Sequence, residues 1–302
     1  MLSLESLVAM GPNGSSSSLI PPEDAHIHVT DTLDASGAFV LMQYVLAALQ
    51  DKARSVIWVS NRADGLAHWN SISRKVGMPF NQFVASGRVR MIDTEDSQDT
   101  TNPFESLLNK IKDALPATQQ NATKPDDKSD LFAQTLIVMD SLSVLQWSAP
   151  GSVDEVHRQL VYFLRSLRQL CLNAHAALIT LQHADACSII HTQGTLDEAD
   201  ERLFRYILRT ADVWIAINEL ASGRAADCDG EITVHGLVRC AAAACTPISA
   251  SEKESRLSAF RLGLPSQTCL FRILPDGTGA KNAQGIRSSV RIWSRGTGQG
   301  LI

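Results

Sequence analysis

The stretch Gly37–Gln50, GAFVLMQYVLAALQ, is apolar nearly all round, with Phe39, Val40, Leu41, Met42, Val45, Leu46 and Leu49 spread over the whole helical circumference. A helix of that kind is stable only when covered on all sides, so it demands a sheet on one flank and more chain on the other. The residues before it, HVTDTLDAS from His28, read as a strand followed by a tight polar turn. Strand, turn and buried helix is how a nucleotide-binding P-loop opens.

The rest of the chain alternates in the same sense. Strands are expected at Ile27–Thr30, Ser55–Ser60, Val89–Ile92, Thr135–Asp140, Ala177–Gln182 and Val213–Asn218. Several are continuously apolar (TLIVMD, AALITLQ, VWIAIN), as strands covered on both faces must be. Helices between them announce their starts. Asn102-Pro103-Phe104-Glu105 offers an N-cap, a first-turn proline and a capping-box acid, and the Ser152/Glu155 and Thr195/Glu198 pairs repeat the box. After Ser152, Val153, Val156, Leu160, Leu164, Leu167 and Cys171 form one apolar stripe, with Arg158, Arg165 and Arg168 largely outside it. Beyond Gly230, EITVHGLV, TCLFRIL and VRIWSRG suggest short antiparallel strands. The fold class is therefore α/β: a mostly parallel sheet with helices on both faces and antiparallel strands at its C-terminal end.

Length and composition bound the organisation. A chain of 302 residues, 44% hydrophobic and 20% charged, can bury one large core. The expected layout is a flexible Gly/Ser/Pro-rich segment over 1–23 and a single domain over 24–302, with disordered insertions at 116–130 and 242–266. A net charge of −5 argues against a chain that binds polyanions over its whole surface. No apolar run is long enough to span a membrane, Glu5 stands where a signal peptide would be basic, and six cysteines show no disulfide spacing. Cytoplasm, and possible passage into the nucleus, is the expected location.

The turn itself lacks phosphate chemistry. A working loop, Gly-x-x-x-x-Gly-Lys-Ser/Thr, needs free backbone amides, a lysine and a hydroxyl for Mg²⁺. With Gly37 as the second glycine, Thr32 stands at the first, Ala38 replaces the lysine and Phe39 the hydroxyl residue. Asp31 and Asp34 lie in the same turn. A carboxylate ~4 Å from phosphate would repel it by ~4 kcal/mol at an effective dielectric near 20, more than the ~0.3–1 kcal/mol a helix terminus returns. The phosphate loop is degenerate, and no cofactor is expected. The partner motif is better kept: TLIVMDSLSVL ends an apolar strand on Asp140, the form of a Walker B segment, although such an acid also serves to cap the next segment. Gln182 ends a later strand where a RecA-like ATPase has a polar sensor, but a satisfied strand-end amide is the more frequent explanation.

Other clusters carry less. His183, Cys187 and His191 fall at i, i+4 and i+8 and could share a helix face for zinc, but no second cluster completes a site. Cys240 and Cys245 read as incidental thiols, and His26 and His28 as strand packing. Arg287, Arg291 and Arg295 give the C-terminal segment local basic character. No nucleophile elbow and no dinucleotide fingerprint occurs.

Three segments, TDTLDASGAFVLMQYVLAAL, LIVMDSLSVLQW and LASGRAADCDGEITV, together with the terminal SRGTGQGLI, resemble the Elongator complex protein 6 family of RecA-like accessory subunits over roughly Asp24–Ile302. The resemblance implies a RecA-like domain without a functional P-loop. It also implies assembly with two RecA-like Elongator paralogues into a heterohexameric ring that docks on the catalytic Elongator core, binds tRNA and supports wobble-uridine modification. On that reading the chain is no enzyme itself. Loops near Gln146–Ser152 and His183–Thr195 would face the ring's centre, with His183, His191 and Arg224 as candidate RNA contacts. The competing reading is an atypical ATPase subunit whose phosphate site is shared across a subunit interface and depends on Asp140. A Rossmann-like small-molecule enzyme is disfavoured by the missing glycines.

Overall fold

The computed structural model describes residues 19–62, 64–75, 78–94, 102–116, 133–185, 198–220, 222–223, 225, 227–237, 267–274 and 290–294. The opening strand, β1 (His26–Asp31), runs through the interior of a nine-stranded sheet. Parallel to it on one side lie β5 (Ala176–His183), β4 (Thr135–Met139), β2 (Ser55–Ser60) and the edge strand β3 (Val89–Asp93). On the other side β6 (Val213–Asn218) is parallel, and β7 (Gly230–Gly236), β8 (Gln267–Ile273) and β9 (Val290–Ser294) continue antiparallel. The order β3-β2-β4-β5-β1-β6-β7-β8-β9 matches the expected architecture, parallel core and antiparallel end alike.

The helix that demanded cover receives it. In α1 (Ala38–Gln50) nine residues are buried, from Phe39 through Leu49. One side packs on the sheet through Val29, Ile179 and Leu181. Beside it lie α2 (Gly65–Lys75) and α3 (Phe80–Ala85), which contribute Trp69 and Phe80, and β8, whose Phe271 ring centroid sits 4.9 Å from that of Phe39. The opposite face of the sheet holds α4 (Pro103–Ala114), α5 (Leu142–Ser148), α6 (Val153–Asn173) and α7 (Glu198–Thr210) over a second apolar cluster that includes Ile137, Leu178, Leu160 and Leu203.

Local signals explain most helix starts. The Asn102 side chain accepts from the Glu105 amide, Ser152 accepts from the Glu155 amide, and Ser141 caps α5 through the Val144 amide. Glu105 closes its box on the Asn102 side-chain amide rather than on the backbone. Thr195 lies outside the described residues, as do residues 1–18, 117–132 and 238–266, which contain nearly all of the proposed flexible segments. Within the proposed 1–23 segment, Leu19 is buried, the Pro21 carbonyl accepts from Ala133, and Glu23 meets His175 at 2.9 Å, so the ordered body begins before Asp24. The α6 stripe needs one correction. Val153, the first residue of the helix, is 60% exposed, while Phe163 takes a place in the buried face.

Gly230 is fixed by a close approach. A Cβ there would fall 2.4 Å from the Asn218 carbonyl oxygen and 2.8 Å from the Phe271 ring. Neither backbone nor a packed ring yields easily. Gly230→Ala should therefore destabilise the protein by roughly 1–3 kcal/mol, read as a lower urea midpoint at unchanged slope.

Candidate functional site

The C-terminal ends of β1, β5 and β6 meet the start of α1, where a P-loop protein holds phosphate. Here the protein's own groups fill that place. Asp31, 2% exposed, accepts from the Gly37 amide at 2.8 Å through one carboxylate oxygen. Its other oxygen lies 2.6 Å from His183 Nδ1. Asp31 and His183 are register partners on adjacent parallel strands, so strand pairing itself brings them together. The helix has no acid in its first turn and no side-chain cap of its own at Gly37. The anion its N-terminus favours is supplied by Asp31, six residues upstream.

Four more amides of the turn, those of Thr32, Leu33, Ala35 and Ala38, are also engaged. Thr32 and Ala35 exchange backbone hydrogen bonds, both at 3.2 Å. The Leu33 amide donates to the Asp185 carboxylate, 3.0 and 3.1 Å from its two oxygens, and Ala38 donates to Ser36 Oγ at 3.3 Å. The Thr32 hydroxyl donates to Glu219 at the end of β6, at 2.7 Å. An incoming phosphate would have to break these bonds and displace Asp31, then sit among Asp31, Asp34, Asp185 and Glu219 with no lysine or arginine in the turn. Gly37 is also close-packed: a Cβ there would lie 3.0 Å from Leu181 and Val29 side-chain atoms.

His183 is half-buried and its pKa is raised above its ordinary value, first by the hydrogen bond to Asp31, against the opposing effect of burial. Its backbone amide donates to Ser143 Oγ at 3.0 Å, and its ring stacks on Trp147 with centroids 6.3 Å apart. Trp147 is 60% exposed and donates to Asp200 at 3.0 Å. The Gln182 side-chain amide donates to the Asp200 carbonyl at 3.0 Å, pinning the start of α7 to the sheet. Gln146 and Trp147 belong to helix α5, which changes the expected Gln146–Ser152 loop into a helix end.

Asp140 faces elsewhere. It is 6% exposed and accepts from Ser60 Oγ at 2.7 Å, the Asn61 amide at 2.9 Å, Asn61 Nδ2 at 3.3 Å and Trp58 Nε1 at 3.4 Å. All of these donors lie on β2 or just after it, whereas β5 separates β4 from β1. Burial raises the Asp140 pKa, and the donors pull the other way. His26 and His28 flank Thr180 Oγ1 at 2.9 and 3.0 Å, and burial pushes His28 down to about 3, so it stays neutral. Among the described residues no group of three or more His, Cys, Asp or Glu is placed to hold a metal ion, and no helix is long and apolar enough to cross a membrane. Cys187, His191, Arg224, Arg287 and Arg295 lie outside the described residues, and Arg291 is exposed on β9.

A family model for Elongator subunit Iki1 matches residues 25–227, well over half the chain and the whole of the site just described. The chain belongs to the Elongator subunit Iki1 family. Among solved structures, a KaiC-like protein, PH0186, from the hyperthermophilic archaeon Pyrococcus horikoshii OT3 superposes with a TM-score of 0.52 over 86% of this chain and 95% of that one, at 13% identity. That likeness shows the RecA-like fold. No curated protein sequence matches the chain.

Thr32, Gly37, Ala38 and Phe39 stand out in the sequence as the degenerate loop, but the roles of Asp31, Asp185, Glu219 and Asp200 do not. One signal for them is present: an acid ends the first strand, and a polar residue ends the strand that neighbours it in P-loop folds.

The geometry sets two expectations. A raised His183 pKa stabilises the fold while pH is below the ordinary value near 6.5, and that contribution is lost as pH rises through the folded-state value. Asp31→Asn should abolish this component, seen as a flatter dependence of the melting temperature between about pH 5 and 9 and a His183 NMR titration returned toward 6.5. Asp140→Asn should cost about 1–3 kcal/mol in a denaturation measurement, because one amide oxygen cannot serve donors on both sides.

Proposed function

We propose that this Elongator subunit is non-catalytic, and that it takes one place in a hetero-hexameric ring of three kinds of RecA-like subunit. That ring docks on the catalytic Elongator core, binds tRNA and supports modification of the wobble uridine, in the cytoplasm. The observation that carries the non-catalytic reading is the occupancy of the turn: Thr32, Leu33, Ala35, Gly37 and Ala38 all donate their amides to the protein's own acceptors. Family membership supports the complex, and the RecA-like fold supports the ring. The family match favours the Iki1 place in the trio, in preference to that of protein 6, which the sequence motifs resemble.

Of the candidate RNA contacts, His183 is engaged by Asp31 and stands among acidic groups, which weighs against a direct phosphate contact there. An ATPase that shares its site with a neighbour would need Asp140 available to a metal-bound water, and Ser60 and Asn61 engage both of its oxygens instead.

Co-expression tests the assignment. Produced with the other two RecA-like subunits, the chain should give a six-subunit species in native mass spectrometry. Leaving out authentic Iki1 should preserve that species, whereas leaving out authentic protein 6 should abolish it. A chain that substitutes only for protein 6 would reverse the choice of place, and a chain that joins neither set would sink the ring reading.

A further inference from the structure

Leu33 is the most exposed large apolar side chain among the described residues, at 88%. Its backbone is nevertheless fixed. The Leu33 amide donates to the Asp185 carboxylate, and the Thr32 hydroxyl beside it donates to Glu219. A second exposed apolar group is tied to the same place. Trp147, 60% exposed, stacks on His183, two residues before Asp185, and both His183 and the Ala184 amide are bonded to Asp31. Leu33 and Trp147 are thus anchored to one short stretch, His183–Asp185, at the C-terminal end of the sheet. Single exposed apolar residues are ordinary, but two of them held on one rigid frame form a patch.

Carboxylates stand beside this patch. Asp34, Asp185 and Glu219 are all exposed. Asp185 and Glu219 accept from a backbone amide and a hydroxyl, which are neutral donors, so these contacts leave their negative charge uncancelled. No lysine or arginine among the described residues bonds to either of them. His183 is a cation when protonated, and Asp31 already matches it.

We propose that this rim docks a basic protein surface, with Leu33 and Trp147 entering apolar cover on the partner and Asp34, Asp185 and Glu219 pairing with its lysine or arginine side chains. The inference rests on the ring membership proposed above and assigns this face to the neighbouring subunit. A rigid leucine and an exposed tryptophan supply apolar anchors, and the carboxylates around them supply a charged rim that selects a cationic partner. Arginine suits both parts, since its guanidinium pairs with carboxylates and its plane stacks on an indole. Nucleic acid is the wrong occupant, because its phosphates would meet the same carboxylates as like charges. A second copy presenting this same face is excluded for the same reason.

The test uses the full chain co-expressed with the other two RecA-like subunits. Leu33→Ser should weaken entry into the six-subunit species by about tenfold, while the melting temperature of the lone chain stays unchanged because the side chain is exposed there. The triple variant Asp34→Asn/Asp185→Asn/Glu219→Gln keeps an acceptor oxygen at each position, so the turn retains its bonds. It should weaken assembly roughly tenfold at low salt and flatten its dependence on salt. Tyr162→Ser, at a residue 72% exposed on α6, is the matched control and should leave assembly unchanged. A photoactivatable residue in place of Leu33 should crosslink to a neighbouring RecA-like subunit, beside a lysine or arginine in that subunit's sequence.

A ring that forms equally well with Leu33→Ser and with the triple variant would overturn the proposal while leaving ring membership standing. So would a greater loss from Tyr162→Ser, or a Leu33 crosslink to the catalytic core. Loss of tRNA binding by the triple variant in an intact ring would make this face an RNA surface and overturn it too. A wild-type chain that enters no ring would sink ring membership first, and this docking surface with it.

Discussion

The Asp31 carboxylate, shared between the Gly37 amide and His183, is the constraint on which the rest of this structure depends. It resolves a conflict built into the fold. A buried helix that begins beside a central strand presents amides and a partial positive charge to the end of the sheet, and that end needs an anion. RecA-like architecture ordinarily leaves the place for phosphate. This chain fills it with a side chain from the preceding strand, and then ties the turn to Asp185, just past β5, and to Glu219, just past β6. The turn is consequently a fixed structural joint among three strands.

That joint has consequences for function. Because the anion is part of the chain, the proposed assembly and RNA contact would need no nucleotide cycle at this site. The acids that close the turn also give the C-terminal rim of the sheet a negative character, extended by Asp154, Asp200 and Glu201 at the starts of α6 and α7.

Much of the fold was legible in the sequence because it rests on periodicity. The apolar runs at TLIVMD and VWIAIN could only be covered strands, and the all-round apolar face of α1 required a helix deep in the molecule. Short elements were harder: α2, α3 and α5 carry brief or mixed patterns whose burial comes from Trp69, Phe80 and Leu142 meeting distant partners. The site was legible only in what it lacks. Ala38 in the lysine position is a local fact, but the Asp31–His183 contact spans 152 residues and exists because β1 and β5 pair in one register. Asp140 shows the same limit, since its strand-end position suggested metal chemistry while Ser60 and Asn61, 80 and 79 residues away, determine what it does.

The most direct test of a filled phosphate place is calorimetric titration of Mg·ATP into the purified chain. With the turn amides engaged and Asp31 in that place, no binding heat should appear up to millimolar nucleotide. A saturable micromolar isotherm would contradict this, because it would require the turn from Asp31 to Phe39 to open and hold phosphate.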